Sequence, residues 1–193
     1  MDNSIFFIII GDDEWTISEN VKYLNQLILP NEMNAEYCIV EKNEDAFRIG
    51  QSESDAKYKV YLDQNSYIID KSFILRIVKT FEKDENVKLV GVKGYRSNAI
   101  SNKIESIGNN LVMRYGEGGG IKEVNEGSEY GVIEVQAVDG HMFVTSQDME
   151  WGDTSLKNQI IERSVLLHHL GYKTIVIRED TPQILFDNNI IDE

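Results

Sequence analysis

The sequence predicts a single α/β domain with a mainly parallel central sheet flanked by helices. Two observations support this prediction. Apolar runs of strand length alternate with segments whose apolar residues recur at helical spacing, which is the order expected of βαβ units. The runs are also continuously apolar, as in strands that are buried on both faces. A chain of 193 residues is long enough to form one compact domain with its own core.

The first strand and the first helix have the clearest signals. Residues 5–10 form a continuous run of isoleucine and phenylalanine, and Gly11 ends this run. Thr16 is followed three residues later by Glu19, which is a capping-box pattern and predicts the start of a helix. Pro30 predicts where that helix stops.

Three further strands complete the first half of the chain. The second strand is predicted at residues 37–40 and the third at 58–62, with a short helix or loop at 47–54 between them. A helical stripe follows at 73–81, and the fourth strand is predicted at 87–92. Strands connected in this way are parallel with right-handed crossovers, so their carboxyl ends meet at one edge of the sheet.

The second half of the chain has a weaker pattern. Residues 94–131 are rich in glycine, serine and asparagine, which predicts surface loops, with a hairpin through residues 110–114 as one option. The remaining predicted elements are two strands, a helix and a last strand, at residues 132–138, 141–145, 156–170 and 174–178.

Composition limits the classes of partner. Acidic residues outnumber basic ones by 33 to 19, so the formal net charge is −14, which disfavours nucleic acid and anionic membranes. Cys38 is the single cysteine and cannot form an internal disulfide, which fits a reducing compartment. The apolar run near the amino terminus is too short for a signal core or a membrane span. We therefore expect a cytoplasmic protein without a membrane span, and the oligomeric state stays open.

The most informative tripeptide is Asp63-Gln64-Asn65, which follows the third predicted strand. Asp63 and Asn65 offer two oxygen ligands, two positions apart, where open α/β sheets bind their ligands. Such a pair could hold a divalent cation, and the cation could hold a diphosphate. The structural alternative is a polar turn at the end of a strand, where aspartate and asparagine are common.

Several blocks of sequence, taken in order, resemble a known family. They are residues 20–30 (NVKYLNQLILP), 54–62 (SDAKYKVYL), 90–92 (VGV), 134–140 (EVQAVDG) and 171–176 (GYKTIV). Together they resemble the streptomycin-biosynthesis-type glycosyltransferase-like family, which belongs to the family-2 glycosyltransferases with the GT-A fold. The resemblance implies one GT-A domain over residues 1–193. Its nucleotide-sugar-binding half would be residues 1–93 and its acceptor-side half residues 94–193.

The resemblance also implies a reaction and a set of site residues. The reaction is transfer of a sugar from a nucleotide-diphospho-sugar to an acceptor hydroxyl with inversion, assisted by Mg²⁺ or Mn²⁺ at Asp63 and Asn65. The residues placed on the donor side are Gly11, Asp12, Asp13, Glu41 and Asp63. Arg48 is added to them because a cation in its segment could offset the donor phosphates. The residues placed on the acceptor side are Asp139, Gly140 and His141. Each also has a structural alternative, as a loop, turn or surface residue.

Two departures from the family pattern leave activity open. The metal corner has Asn65 where an aspartate is expected, and an amide contributes no charge to a metal site. The usual position of the catalytic carboxylate falls on Ile160, which cannot accept a proton. Glu162 and Asp153 are the nearby acids that could serve instead. The competing hypothesis is a catalytically degenerate GT-A relative that binds a sugar or a protein without turnover.

Overall fold

The computed structural model describes residues 2–98, 103–114 and 119–187. Within these ranges the chain forms thirteen strands and four helices. The strands are β1 Asp2–Ile10, β2 Ala35–Val40, β3 Ala56–Asp63, β4 Ser66–Ile68, β5 Val87–Gly91, β6 Lys93–Asn98, β7 Lys103–Arg114, β8 Gly120–Glu126, β9 Gly131–Glu134, β10 Ala137–Val138, β11 Met142–Thr145, β12 Lys173–Arg178 and β13 Ile184–Asp187. The helices are α1 Glu14–Leu24, α2 Ala46–Ser52, α3 Phe73–Lys83 and α4 Leu156–His169.

The central sheet has seven strands in the order β2-β1-β3-β11-β5-β12-β9. Strand β1 pairs in parallel with β2 and β3, and β5 pairs in parallel with β12. Strand β11 is antiparallel to both β3 and β5, and β9 is antiparallel to β12. Five of the seven strands therefore run in the same direction. The predicted fold class, a mainly parallel sheet flanked by helices, is confirmed, and the carboxyl ends of β1, β2 and β3 share one edge.

The core lies on both faces of this sheet because side chains alternate along each strand. Ile5 and Phe7 of β1 pack into a cluster with helix α3, whereas Phe6 and Ile8 pack into a cluster with helices α2 and α4. The predicted stripe of helix α3 is confirmed, since its five apolar residues are buried. Burying each large apolar side chain stabilises the fold by about 1.5–3 kcal/mol.

The prediction of surface loops over residues 94–131 is wrong. A second sheet in the order β10-β6-β7-β13-β4 occupies much of this region, and β8 pairs with β7. Strand β7 is the longest strand described, and its centre carries Asn109 and Asn110, both buried. Their side-chain amides donate to backbone carbonyls of Glu179, Asp180 and Val92 at 3.1 Å. Because the centre of this strand is polar, no apolar run marks it in the sequence, and it was not predicted. Residues 99–102 and 115–118 of this region lie outside the described ranges.

Other helix and strand boundaries in the structure also differ from those predicted. Asp13, rather than Thr16, caps helix α1, because the Asp13 Oδ1 accepts from the Thr16 backbone N–H at 2.7 Å. The helix ends at Leu24, well before Pro30. Strands β4 and β13 were not predicted, and they pair with each other antiparallel. Beyond this pairing, the Asp187 N–H donates to the Asn65 carbonyl at 2.8 Å, which ties the end of β13 to the predicted metal corner.

Candidate active site

A pocket of about 300 Å³ opens at the carboxyl ends of β1 and β3. One wall carries Ile10 and Asp63, the last residues of these two strands. Further lining comes from the segment between β10 and β11, which adjoins the end of β3, and from helix α4. The polar side chains that line the pocket are Lys42, Asp63, Tyr95, Asp139, His141 and Lys157.

The Asp63 carboxylate lies at the centre of the corner that follows β3. Its Oδ1 accepts from the Asn65 backbone N–H at 3.0 Å and from the Asn65 side-chain amide at 3.2 Å. Its Oδ2 accepts from the Lys42 ammonium at 2.8 Å. The backbone N–H of Asp63 donates to the His141 carbonyl at 2.9 Å. This last bond ties the end of β3 to the segment between β10 and β11.

Gln64, the middle residue of the corner, organises the loop that follows β1. Its side-chain carbonyl accepts from the backbone N–H groups of Asp12 and Asp13, both at 2.9 Å. Gly11 is required here, because a Cβ at that position would lie 2.1 Å from the Gln64 Oε1. The Asn20 side-chain amide in turn donates to the backbone carbonyl of Gln64 at 3.0 Å. This role of Gln64 was not predicted. The signal for it in the sequence is a glycine directly after a buried strand, which permits close approach of another chain segment.

The other donor-side candidates of the first half surround the pocket without lining it. Asp12, Asp13 and Glu41 are exposed, at the ends of β1 and β2. Asp13 is engaged as the cap of helix α1, and the hydrogen bonds from the Thr16 hydroxyl and backbone lower the pKa of its carboxyl. A nucleotide-binding role for these three residues and for Gly11 stays a prediction.

The segment between β10 and β11 places the three predicted acceptor-side residues together on the pocket wall. The Asp139 Oδ1 accepts from the His141 N–H at 2.9 Å, and its Oδ2 accepts from the Tyr95 hydroxyl at 3.0 Å. The His141 Nε2 lies 3.5 Å from the same Oδ1. Burial and the nearby Asp139 charge raise the pKa of Tyr95, so this hydroxyl stays protonated and keeps donating. Tyr95 was missed because it falls in the region where loops were predicted.

The remaining candidates are not brought to the pocket lining in the described part of the chain. Arg48, on helix α2, pairs with Asp45 and lies 3.2 Å from the Asp153 carboxylate. Glu162, on helix α4, accepts a long 3.5 Å hydrogen bond from the Thr154 hydroxyl. Their predicted roles stay predictions. Ile160, at the family's usual carboxylate position, is completely buried.

Aromatic packing supports the floor of the pocket. Phe47 lines the pocket, and its ring lies 5.2 Å from Phe143 and 4.8 Å from Trp151. The Trp151 indole donates to the Gln51 side-chain carbonyl at 3.1 Å. Because the indole has both a packing and a hydrogen-bonding partner, Trp151 acts as a structural residue that holds Phe47 in place.

The side chains at the corner do not fit a divalent cation in this arrangement. Mg²⁺ takes six oxygen ligands, and at phosphate sites these are one or two carboxylates, waters and the substrate's phosphate oxygens, so a carboxylate oxygen must be free to bind it. Both oxygens of Asp63 already accept from N–H donors, and Asn65 turns its amide nitrogen, not its oxygen, toward Asp63. Within the described ranges, no group of three or more His, Cys, Asp and Glu side chains could hold a metal ion. Metal binding by Asp63 and Asn65 stays a prediction from the sequence.

The sheet order and the pocket at the strand ends define an α/β protein of the GT-A class, and comparison with solved structures agrees. The mannosyltransferase PcManGT from Pyrobaculum calidifontis, in complex with GDP-Man and Mn²⁺, superposes with a TM-score of 0.61 at 8% identity. GalNAc-T7 with UDP, GalNAc and Mn²⁺ gives a TM-score of 0.59 at 12% identity. The alignments cover 99% and 97% of this chain but only 58% and 43% of those proteins.

The chain belongs to the glycosyltransferase-like family, whose sequence model matches residues 6–192. The family inferred from the sequence resemblance is therefore confirmed. No curated protein matches the sequence significantly. In the ranges that the structure describes, no helix combines the length and the apolar character needed to cross a bilayer.

Proposed function

We propose that this protein binds a nucleotide-diphospho-sugar in the pocket and transfers the sugar to an acceptor hydroxyl. The observation that carries the proposal is that Asp63, at the end of β3, and Asp139, between β10 and β11, line one pocket. This pocket lies at the carboxyl edge of the sheet, where α/β proteins bind their ligands. The donor diphosphate would lie on the Asp63 side and the acceptor on the side of Asp139, Gly140 and His141.

Asp139 is the best placed group to accept the acceptor's proton. Asp63 is neutralised by Lys42, whereas Asp139 has no lysine or arginine partner among the described residues. In the proposed inverting step, the acceptor oxygen forms a bond to the anomeric carbon while the bond from that carbon to the diphosphate oxygen breaks. The hydroxyl proton passes to the Asp139 carboxylate, and the nucleoside diphosphate leaves with the electron pair. Asp153 and Glu162 remain the alternatives that the sequence suggested.

The first test is thermal melting of the full chain with UDP, GDP, CDP and dTDP, each with and without Mn²⁺. A ligand at about one hundred times its Kd stabilises a protein by roughly 2.7 kcal/mol. For a chain of this size, such stabilisation raises the Tm by several degrees. We expect one of the four nucleotides to raise the Tm more than the others. No shift with any of the four would contradict donor binding.

A second candidate function is binding without turnover. The buried Ile160, at the position where the family carries a carboxylate, favours it. The two functions differ in one measurable property. A transferase slowly releases nucleoside diphosphate from its preferred donor, even to water, whereas a binding module releases none. Release that disappears in the Asp139→Asn variant would assign the chain as an enzyme.

A further inference from the structure

We infer that the pocket holds the donor diphosphate on the side chains of Lys42 and Lys157, in place of a divalent metal ion. This inference rests on the proposed function, because the diphosphate is that of the proposed donor. It would extend from Lys42, beside Asp63, to Lys157, beside Gly140. In this arrangement the Lys42 ammonium, held by the Asp63 carboxylate, contacts the diphosphate. Asp63 is a positioning residue for that ammonium.

The corner is arranged around Lys42. The Lys42 Nζ lies 2.8 Å from the Asp63 Oδ2, and the side chain is 45% exposed while that of Asp63 is only 15% exposed. Lys42 is thus the more accessible member of this ion pair, and both side chains line the pocket. It has three N–H donors, of which Asp63 takes one. Two donors remain for phosphate oxygens, and hydrogen bonds between charged groups are stronger than neutral ones.

Lys157 supplies a second cation from the wall that carries Gly140. It lies in the first turn of helix α4 and lines the pocket. Its side chain is exposed, and within the described ranges it has no ion-pair partner. The pocket lining carries two lysines and two aspartates, Asp63 and Asp139, and is therefore less acidic than the chain as a whole, whose net charge is −14.

The orientation of helix α4 adds to this arrangement. Its first two residues, Leu156 and Lys157, both line the pocket, and the cap residue Ser155 makes no side-chain hydrogen bond to the helix. The positive end of the helix dipole therefore lies at the pocket, next to Lys157. Lys42, Lys157 and this helix end together form a site for a diphosphate of either a nucleotide or inorganic pyrophosphate.

The test is isothermal titration of the full chain with UDP, GDP, CDP, dTDP and inorganic pyrophosphate, in EDTA and in Mn²⁺. We expect binding in EDTA. We also expect Lys42→Met and Lys157→Met each to weaken it by about tenfold or more, since hydrogen bonds to charged groups carry affinity of that order. The matched control is Lys79→Met, on the exposed face of helix α3 and outside the pocket lining, which should leave the Kd unchanged.

The outcomes separate this inference from the proposed function. Binding that requires Mn²⁺, is lost in Asp63→Asn and survives in Lys42→Met would overturn the lysine site and keep the transferase. Binding in EDTA that neither lysine variant weakens would also overturn it. Failure of every ligand to bind, with and without Mn²⁺, would reject both proposals. The Tm of each ligand-free variant shows whether it is folded, and the second lysine keeps the test decisive if one variant is not.

Discussion

Asp63 and Asp139 occupy the same kind of turn and differ in their outer partner. In each turn, one carboxylate oxygen accepts from the backbone N–H two residues later, at 3.0 Å from Asn65 and 2.9 Å from His141. The second oxygen of Asp63 accepts from the Lys42 ammonium, whereas that of Asp139 accepts from the neutral Tyr95 hydroxyl. One carboxylate is therefore paired with a lysine, whereas in the described part of the chain no lysine or arginine pairs with the other. Two turns of the same geometry thus present carboxylates with different partners.

The largest effect that separates the two turns is expected from Asp139→Asn. Asparagine is close in shape but cannot take up the acceptor's proton. We expect the rate of sugar transfer, or of donor hydrolysis, to fall by about 10²-fold or more. Nucleotide binding measured by titration should change little, because Lys42 and Lys157 are untouched.

Matched carboxylate variants make this prediction specific. Asp153→Asn and Glu162→Gln lie outside the pocket lining and should keep most of the activity. Full activity in Asp139→Asn, together with loss in either of the other two, would move the proton acceptor to the position that the sequence suggested.

A second prediction concerns two glycines: Gly11, which packs against Gln64 of the Asp63 turn, and Gly140, which follows Asp139. In Gly11→Ala the new methyl group would overlap the Gln64 Oε1, so the two bonds to Asp12 and Asp13 must break. Overpacking of this kind costs about 1–3 kcal/mol. In Gly140→Ala the methyl group would meet its nearest atom, Ile160 Cγ2, at 3.4 Å, which is an ordinary contact. We expect a free energy of unfolding within about 0.5 kcal/mol of the original.

Urea denaturation of both alanine variants checks this prediction. A lower free energy of unfolding for Gly11→Ala alone would show that the Asp63 turn, unlike the Asp139 turn, has no room for an added methyl group. Equal effects in the two variants would contradict that difference.

The smallest effect is expected from Tyr95→Phe, which removes the partner of Asp139. Loss of this hydrogen bond should destabilise the protein by about 1 kcal/mol at neutral pH. The pKa of Tyr95 is raised above the ordinary value of 10.0, chiefly by burial and then by the Asp139 charge. Above pH 10 the unfolded chain therefore loses this proton first, and stability falls as the pH rises. Phenylalanine has no such proton.

Unfolding curves at pH 8 and pH 10.5 would test the pH dependence of Tyr95. We expect the stability difference between Tyr95→Phe and the original protein to shrink at the higher pH. A difference that grows with pH would mean that the hydroxyl is more easily ionised in the folded protein than in the unfolded one.

The sequence predicted the parts of this molecule that local patterns encode. The continuous run of β1 and the helical spacing of Phe73, Ile77 and Phe81 in α3 depend only on neighbouring residues, and both were correct. Strand β7 was not predicted, because Asn109 and Asn110 at its centre are polar and find their partners in distant backbone.

The pocket lining was predicted in part, and the roles of its residues stay predictions. Asp63 and Asp139 were named from their positions after strands and His141 as the neighbour of Asp139 and Gly140, and all three line the pocket. Lys42, Tyr95 and Lys157 were not named, because each reaches the pocket from a different element. A contact such as that between Lys42 and Asp63 depends on the pairing of β1 with both β2 and β3. The residues next to Lys42 or Asp63 in the sequence do not indicate this contact.

The bonds around Gln64 and its neighbours also bear on how the protein folds. The corner joins Ile10 to Gln64, Asp63 to His141 and Asn65 to Asp187, so each bond closes a loop of fifty residues or more. Such closures cost chain entropy before they add stability, and contacts between distant residues form slowly. The pocket should therefore be among the last features to assemble. A growing chain would complete this corner only after the strand that carries Asp187 has been made.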